Sequence, residues 1–211
     1  GLFTHCNIVP IDGLTDLACY PNRDSLSYIP VYKLQSAQTF IRTTLRYPIF
    51  CIGWDAIVQA GLTNDTDTID TNGLTYASWS AAVIPFVNDI NKSLLSYLGL
   101  FDDLPVLPAA KTSADILQYL LESKLIMKPE DKDMIVMLHE IMYELNGKVY
   151  DVKSSLVVEG EDGIRTAMAK TVGLPLGIAA KLLLNNVITL RGLHTPTLKE
   201  IYEPVLKELT N

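Results

Sequence analysis

The spacing of apolar residues changes character several times along the chain, and each change predicts an element. Leu17 to Tyr20 is a short apolar run that Pro21 ends, and Thr39 to Tyr47 sets Phe40, Thr43, Leu45 and Tyr47 among polar neighbours, so both read as strands. Between the polar stretch from Thr63 to Gly73 and a turn region from Asp102 to Pro108, the residues from Trp79 to Leu98 take helical spacing. Thr112 can cap a further helix, with Asp115 three residues on, and Ile116, Leu117, Leu120, Leu121 and Leu125 then share one face. Asn146-Gly147 suits the two positive-φ positions of a tight hairpin turn, which predicts antiparallel strands over Asp133 to Leu145 and Lys148 to Glu159. Val149, Val152, Leu156 and Val158 break strict alternation, so a bulge or burial on both sides is expected there. From Gly163 to Asn185, Ala169, Gly173 and Gly177 lie four apart, a spacing that predicts a helical face open to close backbone approach. On that reading Gly173→Val should destabilise the fold. Pro175 predicts a kink or a junction of two helices near Gly173 and Leu174, and Pro204 an interruption in a last helix from Thr197 to Leu209. Strands mixed with helices imply an α+β fold built on a mixed or antiparallel sheet.

Composition narrows what such a fold can do. Of 211 residues 48% are hydrophobic and 19% charged, a balance that buries a core. The net charge of -7 argues against nucleic acid, whose binding is driven by cationic side chains. Between Gly61 and Ala110 six aspartates face a single lysine, Lys92, and this acidic segment reads as a helical insertion with loops. No apolar run reaches the roughly 18 residues of a membrane span, and the first ten residues lack the basic start and apolar centre of a signal peptide, so no membrane partner is expected. The chain starts at Gly1 without a methionine, as a processed or excised piece would. Cys6, Cys19 and Cys51 form no CxxC pair and read as inert buried thiols in a reducing cytoplasm.

Standard catalytic signatures are missing: the sequence has no GxGxxG, GxxxxGKS/T, HExxH or GxSxG. His5, His139 and His194 show no ligand spacing, so no metal is expected. The arginines carry more information, because a guanidinium can grip a carboxylate with two parallel hydrogen bonds. Arg23 sits in Tyr20-Pro21-Asn22-Arg23-Asp24-Ser25, directly after a strand, and Arg46 ends another in Thr44-Leu45-Arg46-Tyr47. By spacing alone the plain reading is strand-end salt bridges, with Lys170 a solvated helix charge. Acting together, Arg23, Arg46 and Lys170 would instead form a cationic pocket in an acidic protein, suited to a small polyanion.

Five blocks occur in order: YPNRDS from Tyr20, TLRY from Thr44, EDKDMIVM from Glu130, AMAKTVGLPLGIAAKLLL from Ala167 and EIYEPVL from Glu200. Together, from about Asp12 to the end, they resemble the saccharopine dehydrogenase family, in its NADP-dependent, L-glutamate-forming type and in the matching half of bifunctional aminoadipic semialdehyde synthase. The resemblance implies the substrate-binding domain of an oxidoreductase of lysine metabolism, which interconverts saccharopine with glutamate and aminoadipate semialdehyde and works as a homodimer. NADP would be bound mainly by an N-terminal Rossmann domain outside this sequence, and the piece alone would be inactive. It also implies a division into residues 1–48 with 126–211 as the mixed-sheet domain and 49–125 as the helical insertion. Saccharopine carries three carboxylates, so Arg23 and Arg46 are the expected carboxylate-facing groups. Asn22, Asp24 and Thr171 are their orienting partners and Lys170 a weaker candidate, while no residue here is assigned a catalytic role. A related imine reductase such as carboxynorspermidine synthase, or a non-catalytic binding or oligomerisation module, is the alternative.

Overall fold

A computed structural model describes residues 1–22 and 24–210. The elements are β1 Asn7–Val9, β2 Leu17–Pro21, α1 Tyr28–Val31, β3 Thr43–Arg46, α2 Pro48–Gln59 and α3 Tyr76–Trp79. A 3-10 helix Ser80–Phe86 follows, then α4 Asp89–Leu98, α5 Ser113–Lys124, β4 Met134–Leu145 and β5 Lys148–Glu159. A π-helical turn Ala169–Gly173 leads into α6 Leu174–Leu184, and α7 Lys199–Leu209 is last. Contacts divide the chain into two compact units, Gly1–Arg23 with Arg42–Ile126, and Asp24–Ile41 with Met127–Asn211.

In the first unit β2 is the central strand of an antiparallel sheet ordered β1-β2-β3, with Asn7 opposite Cys19 and Ala18 opposite Arg46. Leu17, Ala18 and Cys19 are buried, and β3 is shorter than the run from Thr39 to Tyr47 suggested. Phe3 meets the Tyr20 ring edge-on at 4.9 Å and lies 6.2 Å from the rings of Phe50 and Trp54 on α2. These ring contacts pack β2 against α2 within the first unit. Ile57, Val83, Leu95, Leu100 and Ile116 form the centre of the helical core. Each fully buried side chain of this size contributes about 1.5–3 kcal/mol.

The apolar spacing from Trp79 to Leu98 becomes three segments, not one helix. Pro85 lies inside the 3-10 stretch, and Asn88 then caps α4: its Oδ1 accepts from the Ile90 and Asn91 N–H groups, while Asn91 Oδ1 accepts from the Asn88 N–H. The same reciprocal arrangement opens α5, where Thr112 Oγ1 accepts from Asp115 N–H at 3.1 Å and Asp115 Oδ2 from Thr112 N–H at 3.0 Å. Ile116, Leu117 and Leu120 face the core as their spacing predicts. Trp79 Nε1 donates to Ser113 Oγ at 2.9 Å, which satisfies the buried indole.

In the second unit β4 and β5 pair one to one from Met134 opposite Glu159 to Leu145 opposite Lys148, closed by Asn146 at φ 53° and Gly147 at φ 74°. Neither the bulge nor the two-sided burial expected there is found: the pairing is unbroken and Val149, Val152 and Leu156 are exposed. Val149 and Val157 simply fall on the face that also carries the Glu140–Lys153 ion pair, at 2.6 Å, and both are exposed. The opposite face carries Met137 with Leu156, Ile141 with Val152, and Tyr143 stacked on Tyr150 at 5.1 Å. Farther on, Pro175 withholds a backbone donor, and the chain absorbs this as the π-helical turn that meets α6 at Gly173 and Leu174. α7 runs unbroken through Pro204, contrary to the expected interruption, with Val205 buried against Leu182 and Ile188. The small-residue face of α6 also departs from expectation: a Cβ on Gly173 or Gly177 would meet nothing within 4 Å. Gly173 has ordinary helical dihedrals, φ -68° and ψ -43°. Gly173→Ala should therefore raise stability by about 0.5–1 kcal/mol, read as a melting temperature a few degrees higher in differential scanning calorimetry. A fall of several degrees would restore the close-contact reading.

Candidate functional site

The sequence candidates divide between the two units. In the first, Asn22 extends the β2–β3 pairing, its N–H donating to the Arg42 carbonyl at 3.0 Å. Arg46 is exposed on β3; its Nη1 donates to the Leu45 carbonyl at 2.8 Å and its guanidinium carbon stands 5.7 Å from the centre of the Phe50 ring. No ion pair among the described residues includes Arg46. Arg23 lies outside the described residues. A cavity of about 230 Å³ in this unit, lined by Phe3, Thr4, Asp55, Gln59 and Asn91 among others, includes none of the candidates.

Asp24 belongs to the second unit and acts locally, since its Oδ1 accepts from the Leu26 N–H at 3.0 Å and the Ser27 N–H at 3.4 Å, forming a turn ahead of α1. Lys170 and Thr171 sit together in the π-helical turn. Lys170 Nζ pairs with Glu161 Oε1 at 2.7 Å, and Thr171 Oγ1 donates to the Ala167 carbonyl at 2.9 Å. Around them is a network whose members the residue pattern did not single out as site residues. Asp162 accepts from the Ile164 and Arg165 N–H groups through Oδ1, and from the Arg165 guanidinium through Oδ2 at 2.6 Å. Asp133 accepts from the Ala167 N–H at 2.6 Å and the Met168 N–H at 2.9 Å. Its signal in the sequence is slight, since a single Asp ahead of a strand names no partner 34 residues away.

Electrostatics in this network run in one direction. Hydrogen bonds from the Arg165 backbone and side chain, then from Ile164 N–H, hold the Asp162 carboxyl at about 2, against an ordinary 3.8. Desolvation pushes Asp133 upward, but the Met168 and Ala167 N–H groups outweigh it and its carboxyl ends below the usual range. Glu161 is lowered by its hydrogen bond to Lys170 and by the charge of that side chain. In the first unit, burial and then hydrogen bonding with Cys6 push the Cys51 thiol up to about 12, as an inert thiol requires. Cys19 is likewise buried, while Cys6 is half-buried, less enclosed than expected.

These residues can hold carboxylates and orient a polar ligand, but they do not fit a dinucleotide. Among the described residues every strand pairing is antiparallel, so there is no parallel βα turn to cradle a pyrophosphate. No group of three or more His, Cys, Asp or Glu residues among them could hold a metal ion. No helix among them is long and apolar enough to cross a membrane.

Small antiparallel sheets flanked by helices make this an α+β domain. The profile of the saccharopine dehydrogenase C-terminal domain matches residues 1–211, and the chain belongs to that family. Mouse mitochondrial alpha-aminoadipic semialdehyde synthase is 35% identical over 96% of this chain, which spans 24% of that protein. Saccharopine dehydrogenase [NADP(+), L-glutamate-forming] of Saccharomyces cerevisiae is 30% identical over 90% of the chain, which spans 48% of it. The solved structure of the apo, histidine-tagged saccharopine dehydrogenase (L-Glu forming) from the same yeast matches with a TM-score of 0.88 at 29% identity, over 99% of this chain and 52% of that one. The chain thus spans about half the length of its yeast relative and about a quarter of the mouse one.

The acid response of the fold follows from the network. A carboxylate whose pKa is lower in the folded state stabilises fully above its unfolded value, and that contribution disappears as pH falls through the folded value. Melting temperatures should be insensitive to Asp162 between pH 7 and 5 and should lose its contribution from about pH 4 to about 2. Asp162→Asn should flatten that part of the acid limb, whereas an unchanged limb in the variant would mean that the Asp162–Arg165 clamp does not form.

Proposed function

We propose that this chain is the substrate-binding domain of an NADP-dependent saccharopine dehydrogenase of lysine metabolism, acting in the interconversion of saccharopine with glutamate and aminoadipate semialdehyde. The observation that carries the reading is the likeness, over 99% of the chain, to a yeast protein named saccharopine dehydrogenase (L-Glu forming). NADP is held by the part of the enzyme outside these 211 residues, and the piece by itself does not turn over. Arg46 supports the carboxylate role: its charge is exposed and has no acidic partner among the described residues, unlike Arg165 and Lys170. The family resemblance gives Arg23 the same carboxylate-facing role, and Asn22, Asp24, Lys170 and Thr171 roles as orienting groups for the amino-acid substrate. The substrate-binding domain comprises residues 1–48 and 126–211, with 49–125 as its insertion. Buried free thiols at Cys19 and Cys51 suit a reducing compartment such as the cytoplasm, although the mammalian relatives are named as mitochondrial.

The domain also pairs two copies in a homodimer. Support comes from the β4–β5 face that carries Met137, Ile141, Tyr143, Val152 and Leu156, all exposed. Of the twelve residues on this face only Lys148, at the hairpin tip, bears a formal charge, so two copies can meet across the rest of it without burying like charges.

Two measurements test these readings. In the full-length enzyme Arg46→Ala and Arg23→Ala should each raise the saccharopine KM about 10-fold or more, since a hydrogen bond between charged groups is worth about 1.5–3 kcal/mol, and leave the NADP KM nearly unchanged. An unchanged saccharopine KM in both would remove the arginines from the substrate site. Ile141→Glu should shift the sedimentation profile towards monomer, and a dimer of undiminished stability would move the interface elsewhere.

A further inference from the structure

Helix starts leave N–H groups without intrahelical partners, and the helical segment that begins at Ala167 has two of these taken by a side chain 34 residues upstream. Asp133 Oδ1 accepts from Ala167 and Oδ2 from Met168, while the Asp133 carbonyl accepts from the Gly160 N–H at 2.8 Å. The peptide units of Ala167 then pass the placement on. The Ala167 carbonyl accepts from Thr171 Oγ1 at 2.9 Å, and Lys170 N–H bonds to the Thr166 carbonyl at 3.1 Å. Thr166 Oγ1 accepts from the Ala169 N–H within the same turn. The loop that returns to this point carries Glu161, the partner of Lys170. It has no slack: a Cβ on Gly160 would stand 3.0 Å from the Ala167 nitrogen, and one on Gly163 would stand 2.9 Å from the Lys128 carbonyl.

We infer that Asp133 is a positioning residue for the substrate: through Ala167 and Met168 it fixes the height and rotation of the turn that presents Lys170 and Thr171. This rests on the reading that Lys170 and Thr171 face the substrate. The carboxylate touches no ligand. Its effect on substrate binding passes entirely through the turn it holds, so replacing it acts on the same binding term as replacing Lys170.

The test is steady-state kinetics of the full-length enzyme with Asp133→Asn, Asp133→Glu, Lys170→Ala and the Asp133→Asn/Lys170→Ala double variant, each with a melting curve. Asp133→Glu keeps charge and both acceptors but moves them by about 1.5 Å, one C–C bond. Both single changes at Asp133 should raise the saccharopine KM about 10-fold, comparable to the cost of a misplaced positioning group, and leave the NADP KM unchanged. The double variant should raise the saccharopine KM by less than the product of the two single effects, the remainder beyond Lys170→Ala alone being the misplacement of Thr171. If Asp133→Asn fails to fold, Asp133→Glu carries the test. A normal saccharopine KM in Asp133→Glu overturns the inference, as do strictly additive effects in the double variant. If Lys170→Ala itself leaves the saccharopine KM unchanged, the substrate-facing reading of Lys170 fails, and the inference falls with it.

Discussion

Main-chain N–H groups at helix starts are the constraint on which this architecture turns. Asn88 with Asn91 and Thr112 with Asp115 each close a reciprocal cap inside the first unit, and each cap sets where a core-facing helix begins. Shift either start by one residue and Leu95, Leu98, Ile116 and Leu120 rotate by roughly 100° out of the core. Caps of this kind contribute about 1 kcal/mol each, little beside the buried side chains, yet they choose which side chains are buried. In the second unit the same need is met over a longer distance, by Asp133 on Ala167 and Met168.

This difference in range decides how the candidate polar groups are spent. Lys170 and Asp24, which look like free ligands in the sequence, already have partners within their own segments, Glu161 for one and the Leu26 and Ser27 N–H groups for the other. An exposed pair such as Lys170–Glu161 is worth little in water and is readily exchanged for a ligand carboxylate. Arg46 is different, because its guanidinium donates to a neutral neighbouring carbonyl. A carboxylate arriving there would displace no acidic partner among the described residues.

Local signals were legible in the sequence and distant ones were not. The Asn146-Gly147 turn, the Thr112 cap and the junction at Gly173 and Leu174 all lie within a few residues of the groups that determine them, and the structure has each of them. The bulge expected in β5 and the close approach expected at Gly173 required knowledge of what lies on the other side of a strand or a helix, which spacing does not encode. The packing of β2 against α2 depends on Phe3 meeting Tyr20, Phe50 and Trp54, contacts between residues up to about fifty apart. Among the candidate groups, Arg46 and Lys170 lie in the family blocks, as does Asp133, but the hydrogen bonds that tie Asp133 to Ala167 and Asp162 to Arg165 emerge only when the loop from Gly160 to Thr166 is folded.

The two units are also unequal in what holds them. The first has a continuous core of thirteen buried residues, from Ala56 to Leu120. In the second the buried cluster is Leu182, Ile188 and Val205, at the junction of α6 and α7. A hairpin of two twelve-residue strands is marginal in water unless a third element covers its apolar face, and here Ile141, Tyr143 and Val152 stay exposed on that face. Most of α6 is apolar on every side, a composition found in buried helices, yet Leu176 and Leu184 are exposed. The second unit therefore draws less of its stability from its own core than the first does. The Asp162–Arg165 clamp is solvent-exposed, whereas the Asp133 cap holds the fully buried Ala167, so charge and packing together set the geometry of the Lys170 turn.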